Sequence, residues 1–327
     1  MGSGIDYGVI SSNAMATAGH FGRFDVAQQS ISLHCENCAH LACEPDQKAQ
    51  LMDITFGLIS IGPLWLYIMG RSADMTQIME DFGYTWKLTD AKVDEHATSV
   101  GPLARQRGDT TFSETAFFDI DALSWTIKAV YALNAGADKV TKQEILASLP
   151  TAEAFRKMNI LQEKAGAVSF LFVSPYPYMA AMCEMVDARE EALEFASVGL
   201  DDTITNGGDP KPTSQIILQC VRGRMLALQG RAMEAVQAFE AASTIAARCQ
   251  FWLLNALALR DMIASAYGEN KRWVRDKERC KRRLASVVQE LGGPSRELGD
   301  VSNSAFVFDS NLEAIRLAGL DSIFYPP

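Results

Sequence analysis

Apolar residues recur at intervals of three and four positions along most of the chain from about residue 47 onward. That spacing places them on one face of an α-helix. The segment 74–82 keeps this spacing, and Asp74 could cap the resulting helix. No segment alternates apolar and polar residues for long enough to predict a β-sheet. The pattern therefore predicts an all-α fold.

An aperiodic polar stretch, 89–111, interrupts the helical pattern and is predicted to be a long connection. The helices predicted after it are 117–133, 142–149 and a third that runs from Pro150 to about residue 172. Gly136 lies where a glycine commonly ends a helix, and Thr141 is a suitable N-cap for the helix that follows. These local signals predict where several of the helices begin and end.

A more specific pattern occurs in the segment 220–246. Its small and aromatic residues follow in the order Gly223, Gly230, Ala235, Phe239 and Ala242. Small residues let two helices cross closely, and Gly230 permits the turn between them. Phe239 could then fill the space between this hairpin and the next. The spacing therefore predicts an antiparallel helical hairpin.

This order of residues resembles the tetratricopeptide repeat, although Gln219 replaces the usual early aromatic residue and Ala247 the closing proline. A weaker copy upstream consists of Tyr176, Ala180, Asp187, Ala192, Ala196 and Gly199. The polar segment 201–212 is predicted to be a loop that accounts for the extra length between the copies. Periodicity alone predicts a third hairpin, from helices over 251–267 and 272–291. The alternative is a bundle of hairpins without a repeat.

The resemblance implies a right-handed stack of antiparallel hairpins, a tetratricopeptide-like α-solenoid with a concave groove. In that family the first helix of each hairpin lines the groove. Carried over by position, this would direct Glu184, Cys220 and Arg224 towards the groove. It implies a non-enzymatic scaffold or adaptor that binds a peptide or a subunit.

These patterns divide the chain into four predicted regions. They are a flexible segment 1–30, an irregular helical region 31–150, the repeat region 151–295 and a C-terminal cap or tail 296–327.

The chain is acidic, with 30 Lys and Arg against 40 Asp and Glu and a net charge of −10, which argues against nucleic acid as a partner. The segment 271–283 is the exception, because it holds eight basic and two acidic residues. Its arginines at helical spacing are Arg272, Arg275, Arg279 and Arg282. They predict a basic helix face that could bind an acidic peptide or subunit, or could be neutralised internally by Asp276 and Glu278. Trp273 is expected to be a core contact.

The strongest candidate for chemistry is the sequence HCENCAHLAC at 34–43. Cys35 and Cys38 have the spacing of a zinc site, and Cys43 with His40 or His34 could complete it. No second C-x-x-C follows, and the same residues could instead pack inward from a helix. The sequence therefore predicts no cofactor, with a zinc-binding regulator or enzyme as the alternative. No common catalytic motif occurs in the chain.

Two features concern the compartment. Seven cysteines without an even framework favour reduced thiols, and hence the cytoplasm or another reducing compartment. The segment 51–69 has nineteen residues with one charge, but Gly62-Pro63 interrupts it. It is predicted to form two buried helices, and a membrane span remains the alternative.

Overall fold

The computed structural model describes residues 33, 72–95, 120–136, 139–164, 176–205, 212–267 and 273–297. All regular secondary structure in these ranges is helical, which confirms the predicted all-α class. The chain falls into two compact units, divided between Met179 and Ala180. Among the described residues no helix is both long and apolar enough to cross a membrane. The apolar segment 51–69 lies outside them.

The first unit is built from short and medium-length helices. They are α1 (Ser72–Asp81), α2 (Ile120–Ala135), α3 (Lys142–Ser148) and α4 (Ala152–Lys164). Helix α2 packs against both α1 and α4. The packed face of α2 includes Ile127 and Val130, which are almost completely buried.

The predicted cap at Thr141 and the predicted stop at Gly136 are confirmed. The backbone N–H of Glu144 donates to Thr141 Oγ1 at 3.2 Å, and the backbone N–H of Thr141 donates to Glu144 Oε2 at 3.0 Å. This reciprocal capping box begins α3. Gly136 has φ +75, the left-handed conformation that commonly follows a helix.

Two predictions in this unit are wrong in detail. Residues 89–95 are helical, although they fall in the stretch predicted to be a connection. Thr89 and Val93, one helical turn apart, are both buried, and a segment of seven residues is too short to show a clear periodicity in the sequence. Helix α1 begins at Ser72, so Asp74 lies within its first turn instead of capping it.

The second unit contains the longer helices and the segment predicted to be repetitive. Its elements are α5 (Tyr176–Met185), α6 (Arg189–Thr205), α7 (Pro212–Leu228), α8 (Ala232–Arg248), α9 (Trp252–Asp261), a π-helix (Met262–Tyr267) and α10 (Val274–Glu297). The division between the units falls within α5. From α6 to α10, each α-helix packs against the next α-helix in the sequence.

The predicted hairpin at 220–246 is confirmed as the pair α7 and α8. Gly230 has φ +76 and joins the two helices. A Cβ atom at Gly223 would lie 2.7 Å from two ring atoms of Phe239, so the helices cross at a point where only glycine fits. Phe239 is completely buried and belongs to one core cluster with Ala256 and Leu259 of α9. The packing predicted for this aromatic residue is therefore observed.

The predicted boundary of one loop is shifted. Helix α6 continues to Thr205 with Asp202 buried, so the first residues of the predicted loop 201–212 are helical. The domain boundary predicted after residue 150 falls inside the first unit. Helix α4 belongs there because it packs on α2. Its Phe155 ring also lies 5.4 Å from that of Tyr176, in the first turn of α5, which is part of the first unit.

Candidate interaction surface

Helix α10 carries the basic residues predicted to form a binding surface. Arg275, Arg279 and Arg282 are exposed and, at spacings of four and three, lie on one helix face, here called the basic face. Cys280 and Val287 lie on the other side of the helix and are buried. The fourth predicted arginine, Arg272, lies outside the described residues.

Apolar packing orients α10 with its basic face outward. Cys280 and Val287 belong to the same core cluster as Phe239. Trp273, just before α10, packs against this cluster, which confirms the predicted core contact. Cys280 donates from its thiol to the Leu259 carbonyl oxygen at 3.5 Å, and burial raises its pKa to about 12. The thiol is therefore protonated at neutral pH and acts as a packing group.

The helix neutralises part of its own charge. Lys281 pairs with Glu278 at 2.7 Å, and Arg283 contacts both carboxylate oxygens of Glu240 on α8 at 2.6 and 2.8 Å. Arg275 and Arg279 form no ion pair with any residue in the described ranges. Internal neutralisation is therefore partial, and among the described residues it leaves Arg275 and Arg279 without an ion pair.

A groove lies beside the basic face. It has a volume of about 360 Å³ and is bounded by Glu240, Asp276, Arg279, Cys280 and Arg283. The pairing of Arg283 with Glu240 leaves Arg279 as the cation in this groove that has no ion pair with a described residue. A carboxylate held by Arg279 could therefore extend into the groove.

The structure places Glu184 and Arg224 in the interior, whereas the repeat resemblance directed them towards an open groove. The Arg224 side chain has 0% exposure and that of Glu184 4%. Arg224 Nε and Nη2 donate to the two oxygens of Glu184 at 2.6 and 2.7 Å, and its Nη1 donates to Asp261 Oδ2 at 2.6 Å. We call these three residues the buried ion cluster. Cys220, also directed towards the groove, is completely buried.

Sequence reasoning missed Asp261. It is the last residue of α9 and follows a strongly apolar stretch, LLNALALR. A carboxylate at the end of such a stretch could have indicated a buried charge, but its partner Arg224 lies two helices away. Burial raises the pKa of Glu184 to about 8 and that of Asp261 to about 6, against the opposing effect of Arg224. Burial opposes charge on Arg224 as well, but the two carboxylates outweigh it and raise its pKa.

A polar cluster on the first unit was also not predicted. The rings of Trp86 and Trp125 meet edge to face, with centroids 5.9 Å apart. Lys128 Nζ lies 5.2 Å from the Trp125 centroid and 2.5 Å from Asp90 Oδ2, and Ser124 Oγ donates to the other oxygen of Asp90. Lys128 therefore has an ion pair with Asp90 and cation–π contacts with both tryptophans. These contacts connect the segment 86–90 to α2.

The predicted metal ligands Cys35, Cys38, Cys43 and His40 lie outside the described residues. Within the described ranges, no group of three or more His, Cys, Asp and Glu side chains could hold a metal ion.

Comparison with known proteins adds no family. No family model, no curated protein and no solved structure matches this chain.

Proposed function

We propose that this chain is a non-enzymatic interaction protein that binds an acidic segment of a partner protein through the basic face of α10. The observation that supports this most directly is the set of exposed arginines Arg275, Arg279 and Arg282 on one side of a packed helix. Two of them have no ion pair among the described residues. This basic surface occurs on a chain whose net charge is −10.

The chemistry of arginine favours carboxylate partners. Its planar guanidinium group can donate two parallel hydrogen bonds to one carboxylate. Because Arg275 and Arg282 are seven helical residues apart, the basic face is roughly 10 Å long. A partner helix with acidic residues at positions i, i+4 and i+7 would match that length, as would an extended segment with carboxylates three residues apart.

We also propose that α5 to α10 stack as tetratricopeptide-like hairpins. The hairpin of α7 and α8 supports this, with its glycine turn and the close crossing of Gly223 and Phe239. So does the packing of Phe239 with α9, the first helix of the next pair. Such a stack would present the basic face as part of an extended binding surface.

The basic face can be tested by charge reversal. The test variant is Arg275→Glu, Arg279→Glu and Arg282→Glu; the control is Arg189→Glu, Arg231→Glu and Arg248→Glu. All six side chains are exposed in the second unit, so the two variants change the net charge equally. We expect a labelled oligo-glutamate peptide to bind the wild type and the control within about twofold of each other, and the test variant at least about tenfold more weakly. Fluorescence anisotropy measures the affinity, and circular dichroism verifies folding.

Added salt should weaken binding to the wild type, because screening acts on exposed charges. Equal losses in test and control variants would attribute the effect to net charge and contradict the proposal. A labelled oligonucleotide that bound the basic face more tightly than the peptide would also contradict it, by assigning the face to nucleic acid.

A further inference from the structure

We infer that the buried ion cluster takes up a proton in the folded protein, so that the stability of the second unit falls as the pH rises through the neutral range. This inference is independent of the proposed binding function. The cluster consists of Glu184 on α5, Arg224 on α7 and Asp261 on α9. Arg224 thus connects α7 to α5 and to α9, each of which is separated from α7 by one helix in the sequence.

The three residues of the cluster include one more acidic than basic side chain, and the partly exposed Arg260 lies beside them as a longer ion pair, 3.6 Å from Asp261. Two carboxylates share one guanidinium group, and the exposed fractions of the three side chains are 4%, 0% and 0%. Without water to solvate it, excess buried charge is strongly unfavourable. Two carboxylates held by one guanidinium group also repel each other. Binding one proton relieves both effects.

One carboxylate oxygen of the cluster lacks a hydrogen bond from the described residues. Asp261 Oδ2 accepts a hydrogen bond from Arg224, but Asp261 Oδ1 is buried and accepts none from a described residue. Arg260 Nη2 lies 3.6 Å from this oxygen, which is longer than a hydrogen bond, and the Arg260 side chain is 14% exposed. A buried carboxylate oxygen without a hydrogen bond favours the protonated form.

The charged and titratable groups that act on the cluster from the described helices are Arg260 on α9 and Cys220 on α7. Arg260 favours ionised Asp261, and it already contributes to the pKa given above. Burial raises the pKa of the Cys220 thiol, so it stays neutral and adds no charge at physiological pH.

The sign of the pH dependence follows from these values. The pKa of Glu184 rises from 4.5 to about 8 and that of Asp261 from 3.8 to about 6 on folding. Over that range the folded protein holds protons that the unfolded chain has released. The resulting stabilisation is complete below about pH 4 and is lost as the pH rises through about 6 and then 8. For each proton that the folded protein holds and the unfolded chain has lost, the unfolding equilibrium constant rises by up to about tenfold per pH unit.

Cys220 provides a reporter specific to the second unit, because its buried thiol becomes accessible on unfolding. We would measure by mass spectrometry the urea concentration at which Cys220 is half alkylated, from about pH 5 to pH 9. Because only the thiolate reacts, the labelling time at each pH is set by the alkylation rate of the fully unfolded chain at that pH. The variants are Glu184→Gln and, as control, Glu240→Gln in the surface pair with Arg283. We expect the midpoint to fall with rising pH in the wild type and in the control, and to fall much less in Glu184→Gln.

A second measurement needs no variant. Calorimetry of wild-type unfolding in buffers of different ionisation enthalpy counts the protons exchanged, and we expect net release near neutral pH. Net uptake, or a midpoint that is constant or rises with pH, would overturn the inference. An equal pH dependence in Glu184→Gln and the wild type would overturn it as well.

Discussion

At the residue scale, the contact between Gly223 and Phe239 explains why a glycine occupies this position in the interior of α7. The Phe239 ring is completely buried, and three of its atoms would lie within 3.0 Å of a Cβ at residue 223. Glycine is otherwise unfavourable in a helix by about 1 kcal/mol relative to alanine. Its presence here is explained by the close approach of α7 and α8.

We therefore predict that Gly223→Ala destabilises the second unit despite the better helix propensity of alanine. Overpacking of a buried site usually costs about 1–3 kcal/mol and the propensity gain offsets about 1 kcal/mol of it, so we expect a net loss of about 1 kcal/mol. Urea denaturation measures it. In a Phe239→Leu background the same change should cost less, because the ring is gone. Equal losses in both backgrounds would show that the ring contact is not the cause.

The two glycines of the hairpin have different roles. Gly230 has φ +76, and a Cβ atom at this position would have no neighbouring atom within 4 Å, so its requirement is conformational and not steric. The sequence indicated both glycines by spacing. It predicted the turn at Gly230 and a close crossing at Gly223, and the structure adds that the crossing partner is Phe239 in the same hairpin.

At the scale of elements, helix ends were well predicted because caps are local. Thr141 and Glu144 are three residues apart, and their reciprocal hydrogen bonds depend on little beyond the first turn of α3. The short helix at 89–95 was missed because its burial depends on contacts elsewhere in the first unit. Its Asp90 accepts hydrogen bonds from Ser124 and Lys128 of α2, which lie 34 and 38 residues further along the chain.

We predict that Thr141→Val, which removes the capping hydroxyl, lowers the stability of the first unit by about 1 kcal/mol. Thr141→Ser keeps the hydroxyl and should stay within a few tenths of a kcal/mol of the wild type. Thermal unfolding followed by circular dichroism would compare the two. If Ser and Val destabilised equally, the side-chain methyl and not the cap would be responsible.

At the scale of the whole molecule, the buried ion cluster joins helices that are far apart in the sequence. Glu184, Arg224 and Asp261 come from three different helices, and all three side chains are buried. Such a group is stabilised only while its partners remain. The cluster should therefore respond differently to removal of one partner and of all charges.

We predict that Arg224→Met, which leaves two buried carboxylates without their cation, destabilises the second unit by about 3–5 kcal/mol. The triple variant Glu184→Gln, Arg224→Met and Asp261→Asn removes all three charges and should be more stable than Arg224→Met alone. The urea midpoint of Cys220 alkylation measures both. A triple variant no more stable than the single one would mean that lost packing, and not uncompensated charge, is the dominant effect.

The sequence by itself determined the helical class, the helix ends at Gly136, Thr141 and Gly230, and the hairpin of α7 and α8. These depend on periodicity, caps and glycines, whose effects act within one or two turns. It also indicated the basic stripe of α10, because arginines at spacings of three and four share a face whatever surrounds the helix.

Only the tertiary structure decided which charged residues are exposed. Arg224 and Arg279 are the same residue type, and both lie within helices of the second unit. Arg224 is buried because Glu184 and Asp261 meet it from two other helices, whereas Arg279 faces away from the core cluster that holds Cys280. Charged side chains are usually exposed, so sequence reasoning placed both at the surface. A buried ion pair depends on partners that lie far apart along the chain, and local patterns carry no information about them.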